Sequence, residues 1–170
     1  QAIAQEFTSR VYAQVFQDFS SQKNHCVELA SHDWVLVLDA DERIPPDAWP
    51  EITRRIASNG SCGYVAFAFP RMTFGADGRF HLWVNHYPSL VGRLYDRRHC
   101  RYVNEVHEVL EIRGRRGFIP AHIQHCPLEE PFRVEEKGRL YGELKSRMRS
   151  RLGGRMEPRR PLGIRLHTKW

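Results

Sequence analysis

The sequence lacks any apolar run approaching the about 20 residues of a membrane-spanning helix, and no basic start with an apolar centre resembles a cleavable signal. We therefore expect a cytoplasmic protein. Cysteine is scarce, and the four cysteines lie far apart without a Cys-x-x-Cys pair, so we expect free buried thiols in a reducing compartment. No internal repeat is present. At 170 residues with 41% hydrophobic and 11% aromatic content, the chain suits one globular core.

The net charge of +6 is concentrated at one end of the chain. Residues 133–170 contain 12 Lys/Arg against 4 Asp/Glu, whereas residues 1–132 contain 14 against 16. An apolar stripe recurs at helical spacing in this basic end, at Leu140, Tyr141, Leu144 and Met148. This pattern is typical of a helix on an anionic membrane surface, and no nucleic-acid motif accompanies it. We divide the chain into a domain at residues 1–130 and a basic amphipathic helix and tail at residues 131–170.

One short apolar run, Trp34 to Leu38, breaks abruptly into acidic residues. Its length and β-branched content predict a strand buried on both faces. Asp39, Asp41 and Glu42 follow at its carboxyl end, which is where ligands bind in open α/β sheets. Because unpaired buried carboxylates are costly, we expect a cation there, and oxygen ligands suit Mg²⁺ or Mn²⁺ bridging to a substrate diphosphate. A strand ending in a solvated acidic turn is the alternative.

The other patterns predict alternating helices and strands. Helices are expected at the start of the chain to Phe7, at Phe19–Ala30 with Ser20 or Ser21 as cap, and after Pro45-Pro46 to Asn59-Gly60. Strands are expected at Arg10–Val15, Tyr64–Phe69, Phe80–Val84, Ser89–Asp96 and Ala121–His125, and at Val103–Ile112 with an interruption at Asn104–Glu108. The order of these elements favours a parallel, right-handed α/β arrangement.

Several of these segments resemble family 2 glycosyltransferases. The first runs from Phe19 through Gln22-Lys23-Asn24 and Glu28-Leu29-Ala30 into the acidic block ending at Glu42. Further similar segments are Arg93-Leu-Tyr-x-Arg97, Tyr102-Val-Asn-x-Val-His107-Glu108 and the His122/His125 region. Together they cover roughly residues 1–150 and resemble in particular the bacterial branch that includes lipopolysaccharide-core β-glucosyltransferases.

The resemblance implies a GT-A fold, a Rossmann-like and mostly parallel α/β sheet flanked by helices, with a hairpin-rich acceptor half. It also implies that Mn²⁺ or Mg²⁺ holds the diphosphate of a nucleotide-sugar donor. Asp41 is then the direct metal ligand, and Asp39 contacts the donor ribose or the metal through water. His125 reaches the metal or diphosphate. A zinc site at His122/His125 is not expected, because no second Cys or His pair follows.

The donor and acceptor sites take further residues from the resemblance. Lys23 and Asn24 belong near the donor, with Lys23 pairing a phosphate or remaining an exposed helix charge. Inverting transfer needs a carboxylate to deprotonate the acceptor hydroxyl. Glu108 is the first choice for this base and Glu105 the second, unless Glu108 pairs with a nearby arginine. His107, Arg93 and Arg97 are expected to bind the acceptor, with packing and surface ion pairs as alternatives.

The family pattern begins with a strand, a helix and a second strand ending in another acidic pair, and these are absent from the sequence given. We therefore expect this chain alone to bind nucleotide-sugar weakly or not at all.

The sequence thus predicts a bacterial transferase of polysaccharide or lipopolysaccharide assembly, acting on a glycan or lipid-linked acceptor. Residues 133–170 would hold it on the anionic inner face of the plasma membrane. One alternative is a haloacid-dehalogenase-type phosphatase with Asp39 as nucleophile, although Glu42-Arg43 replaces the expected Gly-Thr-like turn. The other is a non-catalytic domain whose basic tail binds anionic surfaces.

Overall fold

The computed structural model describes residues 2–75, 78–80, 89–127 and 131–151. Its helices are α1 (Ala2–Gln5), α2 (Phe19–Glu28), α3 (Trp49–Cys62, preceded by a 3-10 turn at Pro46–Ala48) and α4 (Pro131–Arg151). Its strands are β1 (Trp34–Leu36), β2 (Glu42–Arg43), β3 (Tyr64–Thr73), β4 (Ser89–Asp96), β5 (Cys100–Val103), β6 (Val109–Ile112), β7 (Arg115–Phe118) and β8 (Ile123–His125). No helix within these ranges has the length and hydropathy to cross a bilayer.

Six strands form one mixed sheet in the order β1-β4-β3-β8-β2, with β7 also pairing with β3, while β5 and β6 form a separate hairpin. The α/β architecture is confirmed, but the expectation of a mostly parallel sheet is wrong for the described strands. Only the β3–β7 and β3–β8 pairings there are parallel, whereas β1–β4, β3–β4 and β2–β8 are antiparallel. The reason is that β4 runs antiparallel between β1 and β3, so the sequence order of elements does not place parallel strands side by side.

Both faces of the central strands are buried. Phe67, Phe69 and Leu94 pack with Ile52 of α3 and Ile119 on one side of the sheet. Ala66 and Tyr95 belong to a second cluster, which includes Val27 of α2 and Tyr102 of β5. This arrangement explains why β3 and β4 read as nearly continuous apolar runs. Each buried Phe or Leu side chain contributes about 1.5–3 kcal/mol to the stability of the fold.

Two predicted local structures differ in detail. The segment Arg10–Val15 is not a strand, because it pairs with no other strand among the described residues, and Tyr12 and Val15 are 55% and 84% exposed. Helix α2 is capped by Asp18 rather than by Ser20 or Ser21. The Asp18 carboxylate accepts a hydrogen bond from the backbone N–H of Ser21 at 2.8 Å.

The interruption predicted within Val103–Ile112 is confirmed, and the strands on either side of it form a hairpin. Its turn lies between β5 and β6, and Asn104 and His107 there have φ of 75° and 54°. In the predicted strand Phe80–Val84, Phe80 forms an antiparallel bridge with Phe74, and the rest lies outside the described residues. The short strands β2 and β7 were not predicted.

Helix α4 is the predicted basic helix, and its apolar stripe turns toward the folded body. Leu144 is 1% exposed, and the Tyr141 ring lies 5.1 Å from the ring of Phe19. The stripe is therefore occupied by protein contacts. All four cysteines are free as expected, but only Cys100 is buried. Burial raises the pKa of the Cys100 thiol to about 12.

Gly117 of β7 tests the tightness of the core. A Cβ there would lie 2.5 Å from ring atoms of Phe67, whereas one at Gly138 of α4 has no neighbour within 4 Å. We expect Gly117→Ala to lower the free energy of unfolding by about 1–3 kcal/mol through overpacking. Gly138→Ala should raise it by about 0.5–1 kcal/mol, because alanine favours a helix. Urea unfolding measures both, and a Gly117→Ala variant as stable as the wild type would contradict this packing.

Candidate active site

The acidic residues lie on a segment that crosses one end of the sheet. The chain leaves β1 at one edge and enters β2 at the opposite edge, so residues 37–41 pass across the intervening strands. The N–H of Val37 donates to the carbonyl of Arg93 on β4 at 2.9 Å. The carbonyl of Asp41 accepts from the N–H of Cys126, just after β8, at 2.8 Å. These bonds place Asp39 near β4 and Asp41 near β8.

A buried guanidinium holds this segment in place. Nη2 of Arg93 donates to Oε1 of Glu42 at 2.7 Å and to Oδ2 of Asp39 at 2.6 Å. The side chains of Arg93 and Glu42 are 7% and 0% exposed. Glu42 Oε2 also accepts from the backbone N–H of Asp39 at 3.3 Å. Since an unpaired buried charge is strongly unfavourable, Glu42 and Arg93 each require the other.

Lys23 extends the network to the β5–β6 hairpin. Its Nζ lies 2.9 Å from Oδ1 of Asp39 and donates to Oε1 of Glu108 at 2.8 Å. It also lies 5.2 Å from the centre of the Tyr102 ring. Asn24 holds α2 in register with β5, because its side-chain amide both donates to and accepts from the backbone of Tyr102 at 2.9 Å. The network therefore alternates in sign along Glu42–Arg93–Asp39–Lys23–Glu108.

The pKa values follow from this alternation. Burial alone would raise the pKa of Asp39, but the charges of Arg93 and Lys23 outweigh it and hold that pKa below its usual value. Burial alone would lower the pKa of Lys23, but its hydrogen bonds to Glu108 and Asp39 raise it above its usual value. Glu42 and Asp39 likewise raise the pKa of Arg93 against the effect of burial. All three side chains remain charged at neutral pH.

Asp41 has different partners from Asp39. Its Oδ2 lies 3.3 Å from Nε2 of His125, and both side chains are partly exposed. Pairing of Glu42 with His125 across β2 and β8 brings them together. On the other side of the ring, Nδ1 of His125 lies 3.1 Å from Oγ1 of Thr73. Two tautomers fit these contacts: Nε2–H can donate to Asp41 while Nδ1 accepts from Thr73, or Nδ1–H can donate to Thr73 and leave the Nε2 lone pair for a cation shared with Asp41.

These groups line one groove with a volume of about 790 Å³. Of the predicted site residues, it contains Lys23, Asp39, Asp41, Arg93, Glu108 and His125. Arg71, Phe19 and Tyr141 also line it. Residues as distant in sequence as Lys23 and Glu108 thus share one concave surface, as ligand-binding sites require.

Four other predicted or alternative site residues have structural contacts instead. Asn24 bonds to β5, as described above. Arg97 donates to the carbonyls of Val27 and Ala30 at 3.1 and 2.8 Å and so closes the end of α2. The His107 ring lies 5.7 Å from the Tyr141 ring. Glu105, the second choice as base, is paired with Arg151 of α4. None of these four belongs to the described groove lining.

Comparison with known proteins agrees with this arrangement. Residues 1–119 match the family model described as glycosyl transferase family 2, which is more than half of the chain. The chain belongs to glycosyl transferase family 2. Membership in this family supports a glycosyl transfer function and implies an α/β fold of the GT-A type. The phosphatase alternative gains no support, since both carboxylate oxygens of Asp39 are engaged by cations.

A short segment is also similar to a TPR repeat-containing protein of Synechococcus elongatus. The two sequences are 44% identical over 39 residues, which are 23% of this chain and 10% of that protein. Such a short match to a much longer protein carries no statement about substrates or partners.

The residues present fit a divalent metal of this family at Asp41 and His125. A carboxylate oxygen and an imidazole nitrogen are both acceptable to Mn²⁺, and the hydrogen bond with Thr73 would fix the orientation of the His125 ring. No group of three or more His, Cys, Asp or Glu in the described ranges could hold a metal alone. Substrate phosphate and water must complete such a site. Asp39 fits less well as a ligand, because Lys23 and Arg93 occupy both of its oxygens.

Among the groove residues that sequence reasoning did not assign to the site are Arg71, Phe19 and Tyr141. Arg71 of β3 lies 3.7 Å from Glu42, and its Nε is buried without a hydrogen-bond partner in the described part of the chain. The arginine following Pro70 in an otherwise apolar strand was the available signal. Phe19 was predicted only as the start of a helix and Tyr141 as part of the apolar stripe of the basic helix, and no sequence pattern indicated that they meet.

Arg93 tests the buried network. We expect Arg93→Met to lower the free energy of unfolding by about 3–5 kcal/mol, because Glu42 then remains buried without its partner. The double variant Arg93→Met/Glu42→Leu should recover much of that loss, since neither buried charge remains. Arg54→Ala, which removes an exposed pair with Glu51, should change stability by less than about 1 kcal/mol. Chemical unfolding measures all three, and a mild effect of Arg93→Met alone would contradict the burial of the pair.

Proposed function

We propose that this chain provides the catalytic groove of a metal-dependent inverting glycosyltransferase, which moves a sugar from a nucleotide-sugar donor to a glycan or lipid-linked acceptor. The supporting observation is one groove that holds both a potential metal–diphosphate site and a candidate base. Asp41 and His125 lie in contact at 3.3 Å, and Glu108 is fixed by Lys23 at 2.8 Å. The bacterial lipopolysaccharide context remains part of this proposal and rests on the sequence resemblance.

The donor diphosphate belongs beside Asp41 and His125. A divalent ion bound there supplies positive charge to the diphosphate leaving group as the glycosidic bond breaks. Arg71 is suited to a phosphate contact, because its only described ion pair is the long one with Glu42. Lys23 and Arg93 are already paired within the protein, so they fix the groove and its charge rather than await a phosphate.

Glu108 is the proposed base. It must accept the proton of the acceptor hydroxyl while that oxygen attacks the anomeric carbon. Lys23 holds Oε1 of Glu108, and within the described part of the chain no hydrogen bond engages Oε2, which is the oxygen we assign to the acceptor. The Lys23 ammonium remains charged at neutral pH, so its hydrogen bond fixes the position of the Glu108 carboxylate in the groove.

Cytoplasmic location and binding to an anionic membrane also remain proposals. Arg139, Arg147 and Arg149 of α4 are exposed and could contact anionic headgroups. The apolar stripe of the same helix does not support insertion, because it packs on the body at Leu144. Residues 152–170 of the predicted tail lie outside the described residues.

Donor binding should depend on metal and on both proposed ligands. We expect ligand-observed NMR to detect weak binding of UDP-glucose in the presence of Mg²⁺ and little binding without it. Asp41→Asn and His125→Ala should each weaken it by about ten-fold or more, because each removes a proposed metal ligand. His99→Ala, at an exposed histidine outside the groove lining, is the matched control. Equal binding with and without the ion would contradict the proposed metal site.

Replacement of the base should separate catalysis from donor binding. We expect Glu108→Gln to slow UDP release from UDP-glucose by about 10²–10⁴-fold, because glutamine cannot accept the proton. Its donor binding should remain, since glutamine still accepts the hydrogen bond from Lys23. Glu105→Gln is the matched control and should retain activity. A larger loss in Glu105→Gln than in Glu108→Gln would move the base to Glu105.

A further inference from the structure

Two aromatic rings line the groove next to the candidate base. Phe19 of α2 and Tyr141 of α4 lie with ring centres 5.1 Å apart and planes tilted by 32°, so the two rings pack on each other in an offset stack, called here the aromatic surface. Both belong to the groove lining. Tyr141 is only partly buried, so part of its side chain remains accessible in addition to the part that packs α4 against the rest of the domain.

Three observations place this aromatic surface next to Glu108. Phe19 and Lys23 lie four residues apart on α2 and therefore share a face, and Lys23 bonds to Glu108 at 2.8 Å. The ring of His107, the residue before Glu108, lies 5.7 Å from the Tyr141 ring. Burial raises the pKa of the Tyr141 hydroxyl, and the negative charge of Glu108 raises it further. The aromatic surface and the carboxylate are thus neighbours in one wall.

The side of the groove formed by the aromatic surface, Lys23 and Glu108 combines apolar and charged groups, and this combination suits some acceptor types better than others. A pyranose ring presents an apolar face of C–H groups and a rim of hydroxyls. An aromatic ring with a polar tip can cover the apolar face, and charged groups alongside can bind the hydroxyls. A hydrocarbon chain would not use the buried charges of Lys23 and Glu108, which are 13% and 18% exposed. The combination of rings and charges therefore favours a sugar at this position.

We propose that Tyr141, supported by Phe19, forms an acceptor subsite that binds the C–H face of a pyranose ring and directs one of its hydroxyls to Glu108. This inference rests on the proposed transferase function, because the acceptor must reach the base. Tyr141 contacts the acceptor, and Phe19 is a positioning residue that sets the tilt of the Tyr141 ring. The basic helix α4 thereby contributes a wall of the active site.

Saturation-transfer-difference NMR on the full chain tests the subsite with defined probes. The probes are methyl β-D-glucopyranoside, methyl β-D-galactopyranoside and methyl α-D-mannopyranoside, with irradiation of the aromatic protons. We expect transfer to the ring C–H protons of at least one probe. Tyr141→Leu, which keeps apolar volume under α4, should reduce it by about five-fold or more, and Tyr141→Phe should retain it within about two-fold. Tyr12→Leu, at an exposed tyrosine outside the groove, is the matched control.

The same samples separate this inference from the proposed function. Transfer to the uridine protons of UDP-glucose with Mg²⁺ should be unchanged in Tyr141→Leu. The inference is overturned if no probe shows transfer in the wild type, or if Tyr141→Leu matches the wild type. It is also overturned if Tyr141→Leu loses both probe and UDP-glucose signals, since Tyr141 then acts only on the fold. If the wild type shows transfer to a pyranoside but none to UDP-glucose, the sugar subsite is retained and the proposed donor site in this chain is refuted.

Discussion

The site depends on one buried guanidinium. Arg93 of β4 is shared by Glu42, which is fully buried, and by Asp39, which is partly exposed at the groove. Because neither Arg93 nor Glu42 tolerates burial without its partner, the crossing segment between β1 and β2 has one allowed path over the sheet. Lys23 then joins Asp39 to Glu108. An interaction that stabilises the fold therefore also fixes the position of the candidate base.

Asp39 and Asp41 have different ionic partners in this network. Asp39 binds two cations of the protein itself, and we propose that it orders the groove and holds Lys23 in place. Asp41 has only His125 as a described ionic partner and keeps partial exposure, which suits a ligand shared with substrate. The pattern Asp-x-Asp thus contains one residue committed to architecture and one available for chemistry. The alternation of charges leaves the groove polar without leaving a buried charge unpaired.

Sequence reasoning predicted local structure where one physical signal dominated. Helix α2, helix α3 and the strand Ser89–Asp96 were predicted from their apolar residues, although the cap of α2 is Asp18 rather than Ser20 or Ser21. Sequence reasoning failed where the structure of a segment depends on pairing with a distant strand. Arg10–Val15 has strand-forming residues but no partner strand among the described residues. The antiparallel position of β4 between β1 and β3 cannot be predicted from the order of elements. Among site residues, Asp41, His125 and Glu108 were identified by resemblance and do line one groove. Arg97 and Asn24 bond to the backbone outside the described groove lining, and Tyr141 was missed, because only the folded chain shows which polar groups bind the backbone and which helix face meets the groove.

The central claim is that Asp41 and His125 hold a divalent ion in the same groove as Glu108. Paramagnetic broadening by Mn²⁺ measures this most directly, in ¹H–¹⁵N spectra of the labelled chain recorded with UDP. We expect the signals of Asp41, His125 and Arg71 to broaden at the lowest Mn²⁺ concentration. The signal of Glu108 should broaden next, and the signal of Arg54 on the exposed side of α3 should remain sharp. Broadening that spares Asp41 and His125, or that requires no UDP and spreads over exposed acidic residues such as Glu51, would contradict the account.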